Sequence, residues 1–356
     1  MKKFLALILA FTMTIGMAAC SEKNLASEAS NSVAQSGETQ TESKPAAQAS
    51  EPVVLKISIA ETSADVKAEV LDEFVKKVEE RTNGTIKFEV YYSNELGSLS
   101  DVTEQMAMGG NVLAGTSGDF YADYGCPDIM STALQYALPS VDAVMKVNDS
   151  ELFAEWCAKI EESSGLKILC CNWAAAPRSV LSTKPINSAA DFKALKIRVP
   201  GAAASAFFEA LGAAPQTGMP FSEIYTNMQQ GVVEACEAPL STLSSYSLQE
   251  VAKNCYLSEH SLAPSCWAMS AKIFNSLSVE NQKILQEEMV NYGYEFMQKG
   301  LDSQAEFKKT MEDAGVVFIE PSKDDIKLLQ TAGKASFEKF PEMTSGLYDQ
   351  LQEIID

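Results

Sequence analysis

The chain contains three arginines, Arg81, Arg178 and Arg198, among 28 lysines and arginines, so its positive charge is carried almost wholly by lysine. A guanidinium differs from an ammonium in presenting a planar fork of N–H donors that meets a carboxylate with two parallel hydrogen bonds, and it stays charged when dried. Two of the three arginines fall in one stretch, Ala176 to Gly201, which reads APRSVLSTKPINSAADFKALKIRVPG, and each stands beside a predicted strand. One use for such residues is internal: Arg178 pairing with an acid of the same fold, such as Glu237. The other is external, with Arg198 clamping the carboxylate of a small ligand and Arg178 supporting or joining it. The formal net charge of −20 means an anion must be drawn in against the mean field. Lys184, Lys193 and Lys196 surround the two arginines with Asp191 the sole acid between them, so the sign of the field reverses here.

Other chemistries lack their residues. His260 is the single histidine, which leaves no Ser-His-Asp set, no HExxH and no histidine pair, and reads as a structural hydrogen-bonding group. Ser222 has no GxSxG setting, and there is no GxGxxG or phosphate-binding loop. Carboxylate pairs such as Asp72-Glu73 and Glu79-Glu80 fall on helix patterns and read as solvated faces. The sequence therefore points to a binding protein, not an enzyme, with no metal and no cofactor. A surface this acidic also argues against nucleic acid as partner. Thr116, at the end of a predicted strand, stands where open sheets receive ligands. Phe221, Tyr225, Trp173 and Trp267 are candidate walls for a ligand cleft.

The first 20 residues read as an export signal: Lys2-Lys3, an apolar run from Phe4 to Met17, then Ala18-Ala19 before Cys20. The ending GMAAC resembles a bacterial lipoprotein signal, which implies cleavage before Cys20, lipidation of that residue and anchorage to the outer face of the membrane. Residues 21–50 are Ser, Glu, Ala, Gln and Thr with almost no large apolar side chain, a composition that cannot bury enough surface to fold and reads as a flexible tether. Of the eight cysteines, seven remain beyond Cys20; an odd number cannot all pair within one chain, and no spacing suggests zinc or CxxC chemistry. Burial is expected for most, with one disulfide left open. Cys170 and Cys171 are adjacent in a strand pattern and should point to opposite faces.

From Val53 the elements follow an α/β order. Strand patterns at 53–60, 85–92 and 111–117 alternate with helix patterns over 62–84 and 98–110, which implies a largely parallel sheet covered by helices. Val66, Val70, Phe74 and Val78 share one helix face, and Asn83-Gly84 supplies a left-handed stop. Asp119 to Ser140 breaks into turns with aromatics. A helix at 151–163, a strand at 166–173, a short helix capped by Ser188 and Asp191, and a strand at 195–200 follow. Helices at 202–213 and 221–231 come next, then strands at 232–238, 253–258 and 264–270. The helix pattern from Ser278 to about Gly315 is unusually long, with Gly293 and Gly300 as points where it would bend. A strand at 316–321 and two helices close the chain.

The motifs LGSLSDVTEQMAMGG, RSVLSTKPINSAADFKALKIRVPG and MPFSEIYTNMQQGVVEACEAP, in this order and with this long trailing helix, resemble the TRAP-type (tripartite ATP-independent periplasmic) solute-binding proteins over roughly Val53 to the C-terminus. The resemblance implies a two-lobed α/β fold with a ligand cleft between the lobes and a long helix bracing both. It places residues 51–174 and about 262–300 in one lobe, and 175–261 with about 301–356 in the other. It implies that Arg198 binds a ligand carboxylate, that Arg178 supports or joins the contact, and that Phe221 lines the cleft. It also implies delivery of a small organic acid to TRAP membrane subunits; a receptor serving a sensor or another importer is the alternative. The family often reads DGQENP where this chain has Glu234 to Pro239, so Ala238 stands in place of a ligand-touching asparagine. Gly201 follows RVP, where a polar residue is frequent. Both departures weigh against a heavily hydroxylated sugar acid.

Overall fold

The structure is a computed structural model that describes residues 51–262 and 264–356. The predicted signal, Cys20 and the tether lie outside the described residues. Three strands match the first three strand patterns, β1 (Val53–Ser58), β2 (Ile86–Tyr91) and β3 (Val112–Thr116), and they pair in parallel. Further along come β4 (Leu166–Trp173), β5 (Ser179–Ser182), β6 (Lys196–Arg198), β7 (Ala214–Gln216) and β8 (Ala235–Ala238). The set closes with β9 (Asn254–Tyr256), β10 (Ser265–Ser270) and β11 (Val317–Ile319). They form two sheets, one ordered β2-β1-β3-β10-β4 and the other β11-β9-β5-β8-β6-β7, which are the cores of two α/β lobes.

Neither sheet is wholly parallel. In the first, β10 runs antiparallel to both its neighbours, β3 and β4; in the second, β5 runs antiparallel to β8 and β9. These are the two strands by which the chain enters a lobe from the other one, so each arrives against the direction set by that lobe's own crossover helices. Short segments, 174–178 and one that includes 257–262, carry the chain across, and Arg178 N–H donates to Ser261 O at 2.9 Å to tie them together.

The first helix runs Val66–Arg81, with Asp65 as N-cap accepting from Lys67 N–H at 2.9 Å and Val66, Val70, Phe74 and Val78 all buried. Asn83 and Gly84 take φ of 51° and 71°, the predicted left-handed stop. Cys170 and Cys171 do face opposite ways, into separate hydrophobic cores, and Cys171 is disulfide-bonded to Cys266 on the neighbouring β10. The Ser188–Asp191 capping box closes only a 3₁₀ turn, Ala189–Phe192, not an α-helix. Three short helices were not visible in the pattern: Val141–Asn148, Leu240–Ser245 and Ala271–Ser276. Each has eight residues or fewer, too short for periodicity to register.

The C-terminal segment departs from the expected division into lobes. The helix Lys323–Ser336 packs on the helix Ala202–Ala210 of the second lobe. The last helix, Leu347–Ile355, instead buries Leu347 and Leu351 in the first lobe's core against Val141–Asn148, and Thr344 N–H donates to Asp128 Oδ1 at 2.6 Å. The chain thus crosses back once more, because the apolar face that receives this helix is made by one of the three that the pattern missed.

A single helix of 35 residues, Val279–Asp313, braces both lobes; at about 1.5 Å per residue it spans roughly 50 Å. It runs on through Gly293 and Gly300 as one helix, so these residues do not interrupt it. They are points of close approach: a side chain on Gly293 would collide with Asn172, and a Cβ on Gly300 would lie 3.2 Å from the Ala176 nitrogen. Asn172 Nδ2 and Trp173 Nε1 donate to the brace carbonyls of Val290 and Met289 at 2.8 and 2.7 Å, so β4 is fastened to the helix just before it crosses. In an exposed helix, Gly→Ala would stabilise by about 1 kcal/mol. Here Gly293→Ala is expected to destabilise by about 1–3 kcal/mol through overpacking against the fully buried Asn172, and urea denaturation of the variant reads the sign directly.

Candidate functional site

Arg198 is the last residue of β6, between β7 and β8, and only 5% of it is exposed. Its Nε and Nη2 both donate to the Met219 carbonyl oxygen, at 3.0 and 2.9 Å, and its guanidinium carbon lies 5.1 Å from the centre of the Phe221 ring. Among the described residues no carboxylate forms an ion pair with it. Two donors on Nη1 and one on Nη2 therefore remain, the end-on fork that meets a carboxylate with two hydrogen bonds. Burial draws its pKa down to about 10, which leaves it charged at neutral pH.

Arg178 is placed differently. Its Nε and Nη2 meet the two carboxylate oxygens of Glu237 side-on, Nη2 to Oε1 at 2.9 Å, and Nη2 also donates to the Glu237 carbonyl at 2.9 Å. That leaves only Nη1 free of a described partner. Glu237, on β8, is itself fully buried and accepts from His260 Nε2 at 3.0 Å, while Ser258 Oγ lies 2.8 Å from His260 Nδ1. A carboxylate can only accept, so the imidazole carries a proton on Nε2. His260 is fully buried with its ring stacked on Phe207 at 5.6 Å, a structural role as expected. Burial alone would raise the Glu237 pKa; the charge of Arg178 and the hydrogen bonds from His260 and Arg178 outweigh it and hold it near 2.

Both arginines line one cavity of about 530 Å³, with Phe221, Glu237, Thr116 and Trp173 also on its wall. Phe221 opens the turn before the helix Ile224–Gln229 and is buried. Thr116 is buried at the end of β3 and its hydroxyl lacks a hydrogen-bond partner of good geometry. Trp173 spends its indole N–H on the brace, so it contributes a ring and no donor. Tyr225 does not belong to this set. Ile224 and Met228 turn the core-facing side of that helix inward, which leaves Tyr225 half-exposed with its hydroxyl donating to Glu250 at 2.8 Å. Trp267 is likewise off the wall, buried behind Trp173 at 5.0 Å between ring centres.

Contacts across the cavity were not visible in the sequence. Asp119 of the first lobe accepts from Ala203 N–H at 3.3 Å at the start of the helix Ala202–Ala210 in the second lobe. A side chain at Gly201 would collide with that carboxylate, so the glycine is there to admit Asp119, which is a physical reason for the departure noted in the motif. Thr242 Oγ1 donates to Asp65 Oδ2 at 2.9 Å, and the Tyr246 hydroxyl donates to the Ala60 carbonyl, both between lobes. A signal was available in part: Asp65 is the N-cap of its helix, but nothing local says that its second oxygen faces the other lobe.

Two lobes, two crossing segments, a bracing helix and an enclosed cavity walled by two arginines are the architecture of a solute receptor. Within that class the family is shown. The model of the bacterial extracellular solute-binding protein family 7 matches residues 57–343, and the chain belongs to that family. The sialic acid-binding periplasmic protein SiaP of Vibrio cholerae is 25% identical over 268 residues, covering 74% of this chain and 80% of its own length. The TRAP periplasmic solute binding protein from Ochrobacterium anthropi, solved with bound L-fuconate, is 28% identical with a TM-score of 0.81, over 86% of this chain and 100% of that one. Its counterpart from Desulfovibrio salexigens, in complex with diglycerolphosphate, is 26% identical with a TM-score of 0.80, over 86% and 97%. The two-lobed α/β fold with its long brace is that of these structures.

The Glu237 hub gives the protein an acid-sensitive element. An ordinary glutamate titrates near 4.3, so the unfolded chain binds this proton at a higher pH than the native state does. The pair's contribution to stability is therefore present above about pH 4.3 and is lost as pH falls toward 2. Glu237→Gln is expected to cost about 3–5 kcal/mol at neutral pH by stranding Arg178. It should also flatten the pH dependence on the acid side, as read by urea denaturation at a series of pH values; an unchanged acid limb would remove Glu237 as its source.

Proposed function

We propose that this chain is an extracytoplasmic receptor that binds a small organic carboxylate through Arg198 and delivers it to TRAP membrane subunits, anchored by a lipid on Cys20. The observation that carries the reading is an arginine 5% exposed, on the wall of an enclosed cavity, whose described partners include no acid. Drying a charge is costly unless something compensates it. The Met219 carbonyl and the Phe221 ring supply part of that, and an anion in the cavity supplies the rest. Arg178, with Glu237 on its near edge, keeps only Nη1 for the ligand and serves chiefly to shape the site. The relatives with L-fuconate and diglycerolphosphate hold anions of two kinds, so kinship supports an anionic ligand and the end-on fork of Arg198 favours a carboxylate. Among the described residues no helix is long and apolar enough to cross a membrane, which suits a tethered receptor. No reaction on the ligand is required; the family consists of solute receptors.

Ligand and the cross-cavity bonds act together. A ligand that touches both lobes favours the closed arrangement through contacts an open one lacks. Calorimetric titration with organic acids that raise the melting temperature is the test. Arg198→Ala is expected to cost about 2–5 kcal/mol of binding free energy, and Arg198→Lys should not restore it because an ammonium has no fork. Equal affinity in the lysine variant would exclude the clamp. Gly201→Ala is expected to weaken the same ligand at least tenfold by displacing Asp119, with little change in the stability of the free protein.

A further inference from the structure

The cavity that holds Arg198 carries more acid than base: three basic lining side chains against five acidic ones, a formal net of −2 before any ligand enters. Most of these acids are already engaged. Glu237 is taken up by Arg178, and Asp119 accepts from the Ser117 hydroxyl and from Ala203 N–H. Asp65 accepts from Lys67 N–H and from Thr242, and Asp123 stands exposed at the rim. Glu61 is the exception. Its Oε1 meets Lys67 Nζ at 2.5 Å, while Oε2 has no described partner. The crowding shows on its neighbour: burial and the charge of Glu61 push the Asp65 pKa up to about 6.

The neutral polar wall supplies donors and acceptors alike, with the hydroxyls of Ser98, Ser117, Thr217 and Ser265 on it. Gln135 is 96% buried and donates from Nε2 to the Ala133 carbonyl at 3.3 Å. The bias therefore lies in the charged groups: apart from Arg198, Arg178 and Lys67, they are acids. A second anionic group would add charge to a site already in excess of it, in surroundings where like charges are poorly screened.

We propose that the ligand is an ammonium carboxylate, its carboxylate on the Nη1/Nη2 fork of Arg198 and its protonated nitrogen toward Glu61 Oε2. This rests on the carboxylate reading above and narrows it to a zwitterion, in place of a dicarboxylate or a phosphate ester. The cation relieves the excess acid that the carboxylate alone would deepen, and Glu61 keeps one oxygen for Lys67 while offering the other.

Calorimetric titration of the mature protein with three matched series tests it: ω-amino acids from glycine to 6-aminohexanoate, the monocarboxylates lacking the amine, and dicarboxylates of equal length. At least one amino acid is expected to bind ten times more tightly than both its counterparts. Glu61→Gln should erase most of that margin, weakening the amino acid at least tenfold more than the matched monocarboxylate. A dicarboxylate that binds as tightly as or more tightly than the amino acid of its length overturns the zwitterion and leaves the carboxylate receptor standing. Monocarboxylates equal to amino acids overturn it as well. Failure of all three series overturns both readings, and binding that survives Arg198→Ala overturns the clamp.

Discussion

A guanidinium buried without an acid is the constraint around which the second lobe is arranged. Arg198 ends a strand of three residues, too short to hold a charged side chain by its own ladder, so the surrounding backbone does it. The Met219 carbonyl takes one edge of the fork, and the ring of Phe221, two residues on, lies beneath it. This explains why the arginine and the MPF motif travel together in sequence: one segment aims a carbonyl and a ring at the charge that the other supplies. An acid in place of that carbonyl would neutralise the fork. A carbonyl holds it in place and leaves it without a paired acid among the described residues.

Arg178, 20 residues earlier in the chain, shows the opposite solution. It has Glu237 side-on, and Glu237 in turn has His260 and Ser258 behind it, so the pair is dry, satisfied and closed. Every member of this hub lies on or beside a segment that crosses between lobes: Arg178 at the end of the outgoing crossing, Ser258 and His260 at the start of the return. The backbone bond from Arg178 to Ser261 joins the same two segments. The hub thus joins the two crossing segments, and its Arg178 and Glu237 line the same cavity as Arg198. Two arginines of the same type differ in use because one has an acid within reach and the other does not.

Much of this was legible in the residues. The scarcity of arginine singles out both side chains, and Glu237 is among the acids that the sequence offers Arg178. The helix faces and the left-handed stop at Asn83-Gly84 were readable because they are local, set by side-chain periodicity and backbone conformation. What failed was non-local. Tyr225 is a candidate wall residue as an aromatic near Phe221, but Ile224 and Met228 claim the inward side of its helix. Gly293 and Gly300 looked like bends, and Gly201 like a lost hydrogen bond; in all three the missing Cβ makes room for a group distant in sequence. The last helix could not be assigned to a lobe without its receiving face, itself one of the helices too short to see.

The same distinction bears on charge. A chain with a net charge of −20 repels anions at long range, so capture has to be decided inside the cavity, where solvent no longer screens. There the carboxylates are not a hindrance to be overcome but the means of holding the lobes: Asp119 seats on a helix start across the gap, where the helix dipole favours a negative charge, and Asp65 ties to Thr242. By occupying that helix terminus, Asp119 removes the second place where a ligand's anionic group would have settled. What is left for an anion is the fork of Arg198, and the other charged groups on the wall are mainly acids. Closure and selectivity are in this way set by the same few side chains.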